Sequence, residues 1–207
     1  MPDVRTLRAG TRLGKGVITG GGKGRRVDVA TRILLVSGST RDGSTNTAAL
    51  RTARAAAPDG VVADLYEGLA RLPAFVPDDD EPGHPAVAEL RRLVRAADAV
   101  LFCTPEYAGS LPGSLKNLLD WTVGGGELYG KPVAWVNVAA EGRGSGADAA
   151  LATVLGYVGA VVVTPGPVRV GVGRDAVGPD GLVGDERVRT AMRKVLELLA
   201  EQVPART

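Results

Sequence analysis

The chain predicts an α/β fold: a doubly wound, five-stranded parallel sheet of order 2-1-3-4-5 in three α/β/α layers. Three observations predict it. Short aliphatic runs alternate with segments whose apolar residues recur at helical spacing. The run Ala99-Val100-Leu101-Phe102-Cys103 is continuously apolar, as suits a strand covered on both faces. Loops dense in Gly, Pro and hydroxyl residues follow the first and third strands, and open α/β sheets bind ligands outside the carboxyl ends of their strands.

The first strand is expected at Arg32–Val36, followed by an Ala/Leu-rich helix over Thr47–Ala57. A second strand covers Val61–Leu65. Val87, Leu90, Val94 and Ala97 then mark one face of a helix, with Arg91, Arg92 and Arg95 largely on the other. The third strand is Ala99–Cys103, and Leu115, Leu118, Leu119 and Thr122 mark the next helix. A fourth strand over Val133–Val138 leads through Ala139–Gly146 into a helix reaching Leu151, and a fifth strand lies at Ala160–Val163. The closing helix carries Val188, Met192, Val195, Leu198, Leu199 and Gln202, starting near Asp185 and stopped by Pro204. The domain spans residues 31–204.

Residues 1–30 lack a sustained period and are rich in Gly, Arg and Lys, so they read as a flexible basic extension. Gly14–Arg26 looks superficially like a nucleotide loop, but Lys23 is followed by glycine and Val17 stands where the first glycine is required.

Composition narrows the function. A chain of 207 residues, 44% hydrophobic, buries one substantial core and leaves little room for a second domain. A net charge of +2 argues against nucleic acid as the main partner. No apolar run is long enough to span a bilayer, and no signal-peptide pattern opens the chain, so no membrane partner is expected. The single Cys103 excludes an internal disulfide and an all-cysteine metal site; its strand position suggests inert packing, and a reducing cytoplasm is the natural compartment. No metal site is expected. Asp78-Asp79-Asp80-Glu81 reads as a solvated loop, and His84 has no partner pattern for catalysis or metal binding. Trp121 and Trp135 read as core or subunit contacts.

Two loops carry the functional argument. After the first strand, Ser37-Gly38-Ser39-Thr40-Arg41-Asp42-Gly43-Ser44-Thr45-Asn46-Thr47 gathers hydroxyls, a guanidinium and free backbone N–H groups at a helix N-terminus, which favours a phosphate. Ser44 as a simple N-cap is the alternative; it leaves Ser39 and Arg41 unexplained. After the third strand, Thr104-Pro105-Glu106-Tyr107-Ala108-Gly109-Ser110-Leu111-Pro112-Gly113 has a stiff exit at Pro105, close backbone approach at Gly109, and Tyr107 at the mouth of the crevice. A phosphate pocket and a flat-ligand loop together imply one molecule with a phosphate end and a planar end.

These motifs resemble the NAD(P)H-dependent FMN reductases of the flavodoxin-like superfamily, which include quinone, azo-dye and chromate reductases. The phosphate loop G-S-x-R-x-G-S-x-N is matched by Gly38–Asn46, and the isoalloxazine loop P-E-Y-N-G-S-x-P-G-x-L-K-N-x-x-D-W by Pro105–Trp121, departing at Ala108. That departure removes a polar side chain beside the flavin and keeps the backbone donors. The resemblance covers about Arg32 to Val203. It implies FMN held by Ser39, Arg41, Ser44, Thr45 and Asn46 at one end and by Pro105, Glu106, Tyr107, Ala108 and Gly109 at the other, with NADPH or NADH as electron donor. It also implies that the loop carrying Gly142 and Arg143 closes over the flavin edge and helps admit the nicotinamide, although a flexible turn explains its glycines equally well. Arg143 could meet the extra phosphate of NADPH, though an exposed solvated arginine is the commoner outcome.

The function so implied is hydride transfer from NAD(P)H to bound FMN and onward to a flavin, quinone or similar small-molecule acceptor. No side chain is expected to act as an essential acid, base or nucleophile, because the cofactor carries the chemistry. A flavodoxin-type single-electron carrier is the alternative; those proteins are typically strongly acidic with a threonine-rich phosphate loop, whereas this chain has a pI of about 8.8 and carries Arg41. The resemblance further implies a homodimer or homotetramer. The loop Glu67–His84 and the helix with Lys116, Asn117 and Asp120 are the candidates for reaching a neighbouring subunit's flavin.

Overall fold

The computed structural model describes residues 30–80, 84–164 and 166–204. The expected extension, apart from Ala30, lies outside them. Strands β1 Thr31–Ser37, β2 Val61–Tyr66, β3 Ala99–Cys103, β4 Pro132–Asn137 and β5 Val161–Val162 form a parallel sheet in the order β2-β1-β3-β4-β5. Helices α1 Thr45–Ala55, α2 Pro85–Ala96, α3 Gly113–Trp121, α4 Ser145–Tyr157 and α5 Glu186–Glu201 cover it. The fold is the doubly wound flavodoxin-like sheet the sequence predicts.

Within the continuously apolar strands, alternate side chains serve opposite layers. Leu34, Val36, Val100, Phe102, Val133 and Trp135 pack into the core shared with α2, α3 and α4. Ile33, Leu35, Ala99, Leu101, Cys103, Ala134 and Val136 pack into the core shared with α1 and α5. Both cores hold β1 beside β3, pairing Ser37 with Cys103 and so placing the loops that follow side by side. Trp121 and Trp135 are buried, and their indole N–H groups reach the Pro73 carbonyl and Asp148 Oδ1.

Two details depart from expectation, and a third adds a role the sequence did not show. The fifth strand falls where expected but is only Val161–Val162, pairing with Pro132 and Val133, and a sixth strand that the sequence did not predict, β6 Val168–Arg169, pairs with Val136 and Asn137 farther along the same edge of β4. The intervening Thr164-Pro165-Gly166-Pro167 cannot supply a continuous donor ladder, since proline has no N–H. Arg91 does not join Arg92 and Arg95 on the solvent face. Its side chain is only 13% exposed, its Nε donates to the Trp121 carbonyl at 2.9 Å, and it lies 3.8 Å from the buried Glu127 carboxylate that Arg95 also meets at 2.6 Å. Helical spacing assigned a face without knowing that a buried carboxylate waited beside it. His84 has a structural task, capping α2 by accepting the Ala86 N–H at its Nδ1.

The loop after β2 is tied to its own chain. Asn117 accepts the Phe75 N–H at 2.7 Å and donates to the Pro73 carbonyl at 2.8 Å, while Phe75 meets Trp121 edge to face with ring centroids 4.9 Å apart. Lys116 and Asp120 pair with each other across one turn of α3. Among the described residues, no helix is long and apolar enough to cross a membrane.

Candidate active site

The loop from β1 to α1 is organised by its hydroxyls. Ser37 Oγ and Thr47 Oγ1 share a 2.8 Å bond, the Ser39 N–H donates to Ser37 Oγ, the Arg41 N–H donates to Ser39 Oγ, and Ser44 Oγ caps α1 by accepting the Thr47 N–H at 3.5 Å. The helix therefore starts at Thr45, two residues earlier than expected. Ser44 is an N-cap, and the first-turn N–H groups of Thr45 and Asn46 still lack intrahelical partners. Gly38 has no room for a side chain, since a Cβ there would overlap Thr104 and Leu115. The backbone of the first loop is thus pressed against the start of the second.

The loop from β3 to α3 contains a two-residue hairpin turn. Tyr107 and Ser110 exchange both backbone hydrogen bonds at 3.0 Å, and the central residues Ala108 and Gly109 have φ of 49° and 72°. Turns of this kind require positive φ at both central positions and favour Asn-Gly. The usual asparagine at position 108 of the motif is therefore accounted for by backbone conformation, before any contact with a flavin. Glu106 turns away from the hairpin: its Oε2 accepts the Gly146 and Ala147 N–H groups at 2.7 and 3.1 Å, capping α4 from another loop. Gly146 is required beneath it, because a Cβ would overlap the Gly109 carbonyl.

The third loop rests on a buried network. Asp148 accepts from the Trp135 indole at 3.2 Å, from Asn137 Nδ2 at 2.7 Å and from Arg169 Nη2 at 2.5 Å. Asn137 Oδ1 accepts the Ala139 N–H, and Arg169 Nη1 donates to the Arg143 carbonyl at 3.1 Å. Gly142 and Gly144 adopt φ of 76° and 85°, so the glycines serve a defined backbone path.

Among the described residues, the loops at this end of the sheet line two clefts on either side of the first loop. The larger, about 630 Å³, is lined by Thr45, Asn46, Pro105, Glu106, Gly142 and Arg143 together with Thr104, Val138–Ala140, Gly144, Ser145, Val172 and Arg174. The smaller, about 270 Å³, lies on the β2 side of the first loop and takes Ser39, Arg41 and Ser44, with Arg51 and Glu67. The loop wall between them is shared. Tyr107 is 53% exposed and, with Ala108 and Gly109, lies on the hairpin outside both linings. Beneath the larger cleft, the Cys103 thiol donates to Asn46 Oδ1 at 3.3 Å, which leaves the Asn46 amide N–H groups for a ligand. Burial, reinforced by the Asp148 charge, pushes the Cys103 pKa up, so the thiol stays protonated and inert.

The larger cleft brings the start of α1 beside Pro105 and Glu106, while Ser39, Arg41 and Ser44 lie across the loop wall. Residues 31–174 match the NADPH-dependent FMN reductase family. The chain belongs to that family. As a member, it uses FMN as cofactor and NAD(P)H as electron donor. It is 33% identical to an NAD(P)H-dependent FMN reductase of Pseudomonas aeruginosa over 81% of this chain and 92% of the relative. It is 38% identical to a quinone reductase of Escherichia coli K12 over 49% of this chain and 56% of that protein. Among solved structures it is similar to FerB, a flavoenzyme NAD(P)H:(acceptor) oxidoreductase of Paracoccus denitrificans, with a TM-score of 0.73 and 26% identity, covering 84% of this chain and 97% of that one.

The chain's own residues fit the family's cofactor. Free N–H groups at the start of α1 and the unengaged Asn46 amide offer donors to a phosphate-bearing chain, and Pro105 and Glu106 line the same cleft. Sequence reasoning missed the Glu106 cap, the Asn137–Asp148–Arg169 network, and Val172 and Arg174. None has a local pattern, because each acts across a gap between separate elements.

Proposed function

We propose that this family member passes reducing equivalents from NAD(P)H through FMN to a small-molecule acceptor of the flavin or quinone class. The convergence of Thr45 and Asn46, Pro105 and Glu106, and Gly142 and Arg143 on one cleft at the carboxyl ends of β1, β3 and β4 carries the reading. Ser39, Arg41, Ser44, Thr45 and Asn46 take the phosphate end, with Arg41 supplying charge and α1 its free N–H groups. Pro105, Glu106, Tyr107, Ala108 and Gly109 take the ring through their backbone, and the loop with Gly142 and Arg143 lines the side from which the nicotinamide enters. FMN, when bound, accepts a hydride and delivers electrons to the acceptor; the protein contributes binding and orientation. Glu106 keeps the second and third loops together. The resemblance supports a homodimer or homotetramer, the single cysteine supports a reducing cytoplasm, and no nucleic acid or membrane partner is invoked.

Mixing the purified full-length chain with FMN and NADPH under anaerobic conditions tests the proposal. Stoichiometric flavin retention and rapid bleaching of the oxidised flavin, reversed by adding a quinone, are expected. Retained flavin that NADPH and NADH both fail to bleach would identify a one-electron carrier instead.

A further inference from the structure

Arg169 does not line the larger cleft, yet both of its terminal nitrogens reach residues that build the cleft's third wall. Its place in β6 sets it opposite Asn137, at the end of β4. From there Nη1 donates to the Arg143 carbonyl at 3.1 Å and Nη2 to Asp148 Oδ2 at 2.5 Å. The first contact pins the far end of the third loop, and the second lies in the first turn of α4. The near end is closed separately. Asn137 Oδ1 accepts the Ala139 N–H at 2.9 Å, and its Nδ2 lies so close to Gly144 that a Cβ there would overlap it. Residues 139–144 are thus a short loop held at entrance and exit, and five of the six line the cleft. The Asp148 side chain is only 11% exposed, so its charge needs a cation beside it. A planar guanidinium can neutralise that carboxylate and still present another N–H to a carbonyl, whereas an ammonium on a single nitrogen cannot span both.

We propose that Arg169 is a positioning residue for the nicotinamide: by holding the Arg143 carbonyl and Asp148 at once, it fixes the loop against which the donor is laid, and so governs flavin reduction without governing flavin affinity. This rests on the reading of the third loop as the side from which the nicotinamide enters. Transfer between two bound rings needs the reacting atoms about 3–3.5 Å apart and aligned, and a displacement near 1 Å costs about a hundredfold in rate. Fixing the loop beforehand also lowers the ordering cost of binding the donor. Flavin affinity draws instead on the first loop and on Pro105 and Glu106, while the hydrogen bonds of Arg169 go to the third loop and α4. Separate elements therefore serve the two ligands of one cleft.

The test compares the full-length, FMN-loaded wild type with Arg169→Lys, Arg169→Met and the double variant Arg169→Met/Asp148→Asn. Lysine keeps a charge for Asp148 but gives up the Arg143 carbonyl. The double variant removes the buried charge together with its partner, so a folding failure of Arg169→Met alone decides nothing against the other two. In the lysine and double variants the dissociation constant for FMN should stay within about threefold of wild type, and the thermal midpoint of the double variant should stay close to it. Their limiting rate of anaerobic flavin reduction by NADPH should fall about tenfold or more, as a displaced wall requires. Hydrogen exchange in the absence of nicotinamide supplies a readout independent of turnover: amides of residues 139–144 should exchange about tenfold faster in both variants, with those of residues 39–46 unchanged. Wild-type reduction in the double variant would make Arg169 a counter-ion and nothing more, and a loss of FMN affinity equal to the loss of rate would make it a general support. Either result overturns the proposal, as does unchanged exchange over 139–144. Failure of NADPH and NADH to reduce the wild type would sink the enzyme reading, whereas normal reduction of the wild type and of both variants would sink this inference alone.

Discussion

At the residue scale, Ala108 occupies a conformation that its side chain disfavours. With φ at 49° in a hairpin turn, alanine stands where asparagine or glycine is preferred. Ala108→Asn is therefore expected to raise stability by about 0.5–1 kcal/mol, measured by denaturant unfolding; no gain would mean that the turn tolerates alanine without strain. Tyr66 carries a second local penalty: among the described residues its buried hydroxyl has no hydrogen-bond partner, and burial pushes its pKa up to about 12. The unfolded chain ionises this phenol near 10.0 while the folded one keeps its proton, so the contribution is full below pH 10 and is lost as pH rises towards 12. Tyr66→Phe should stabilise the fold by about 1 kcal/mol at neutral pH and flatten the loss of stability between pH 9 and 11, in unfolding curves taken at both. The sequence showed Ala108 as a departure from the motif; the positive φ that makes it costly appears only once Tyr107 and Ser110 are seen to pair.

At the element scale, Glu106 joins two loops that sequence reasoning treated separately. Its carboxylate caps α4 from the β3 loop, so its role is structural and electrostatic. Glu106→Gln keeps an acceptor oxygen and should leave anaerobic flavin reduction within about tenfold of wild type, a barrier change under roughly 1.4 kcal/mol. Glu106→Ala should cost about 1–2 kcal/mol of stability, the size of a lost N-cap. A loss of several orders of magnitude in the glutamine variant, with stability intact, would make that carboxylate part of the chemistry. Helices and strands were legible because their periods are local: α2 and α5 fall where Val87–Val94 and Val188–Leu199 placed them. Elements whose form depends on neighbours were less so. Arg91 turned inward to Glu127, and a second short strand, β6, joined the edge of β4 beyond the prolines that follow β5.

At the scale of the whole molecule, β1 is anchored at its first residue by the Thr31 N–H on the Gly60 carbonyl, and residues 1–30 carry no sustained apolar period in the sequence. We therefore expect a chain lacking residues 1–30 to keep the FMN content and NADPH turnover of the full-length protein; precipitation or flavin loss would make that segment part of the fold. The fold class, the strand order and the two loops flanking the crevice could be read from the amino-acid order, since apolar periodicity and Gly/Pro/Ser punctuation act between neighbours in the chain. Tertiary structure alone decided how those loops divide their residues between two clefts, that Glu106 bridges to α4, that Asp148 and Arg169 hold the third loop, and that Arg174 faces Arg143's cleft. A hydrogen bond or a shared field depends on distance in space, and only the packed sheet brings residues so far apart in sequence within reach of each other.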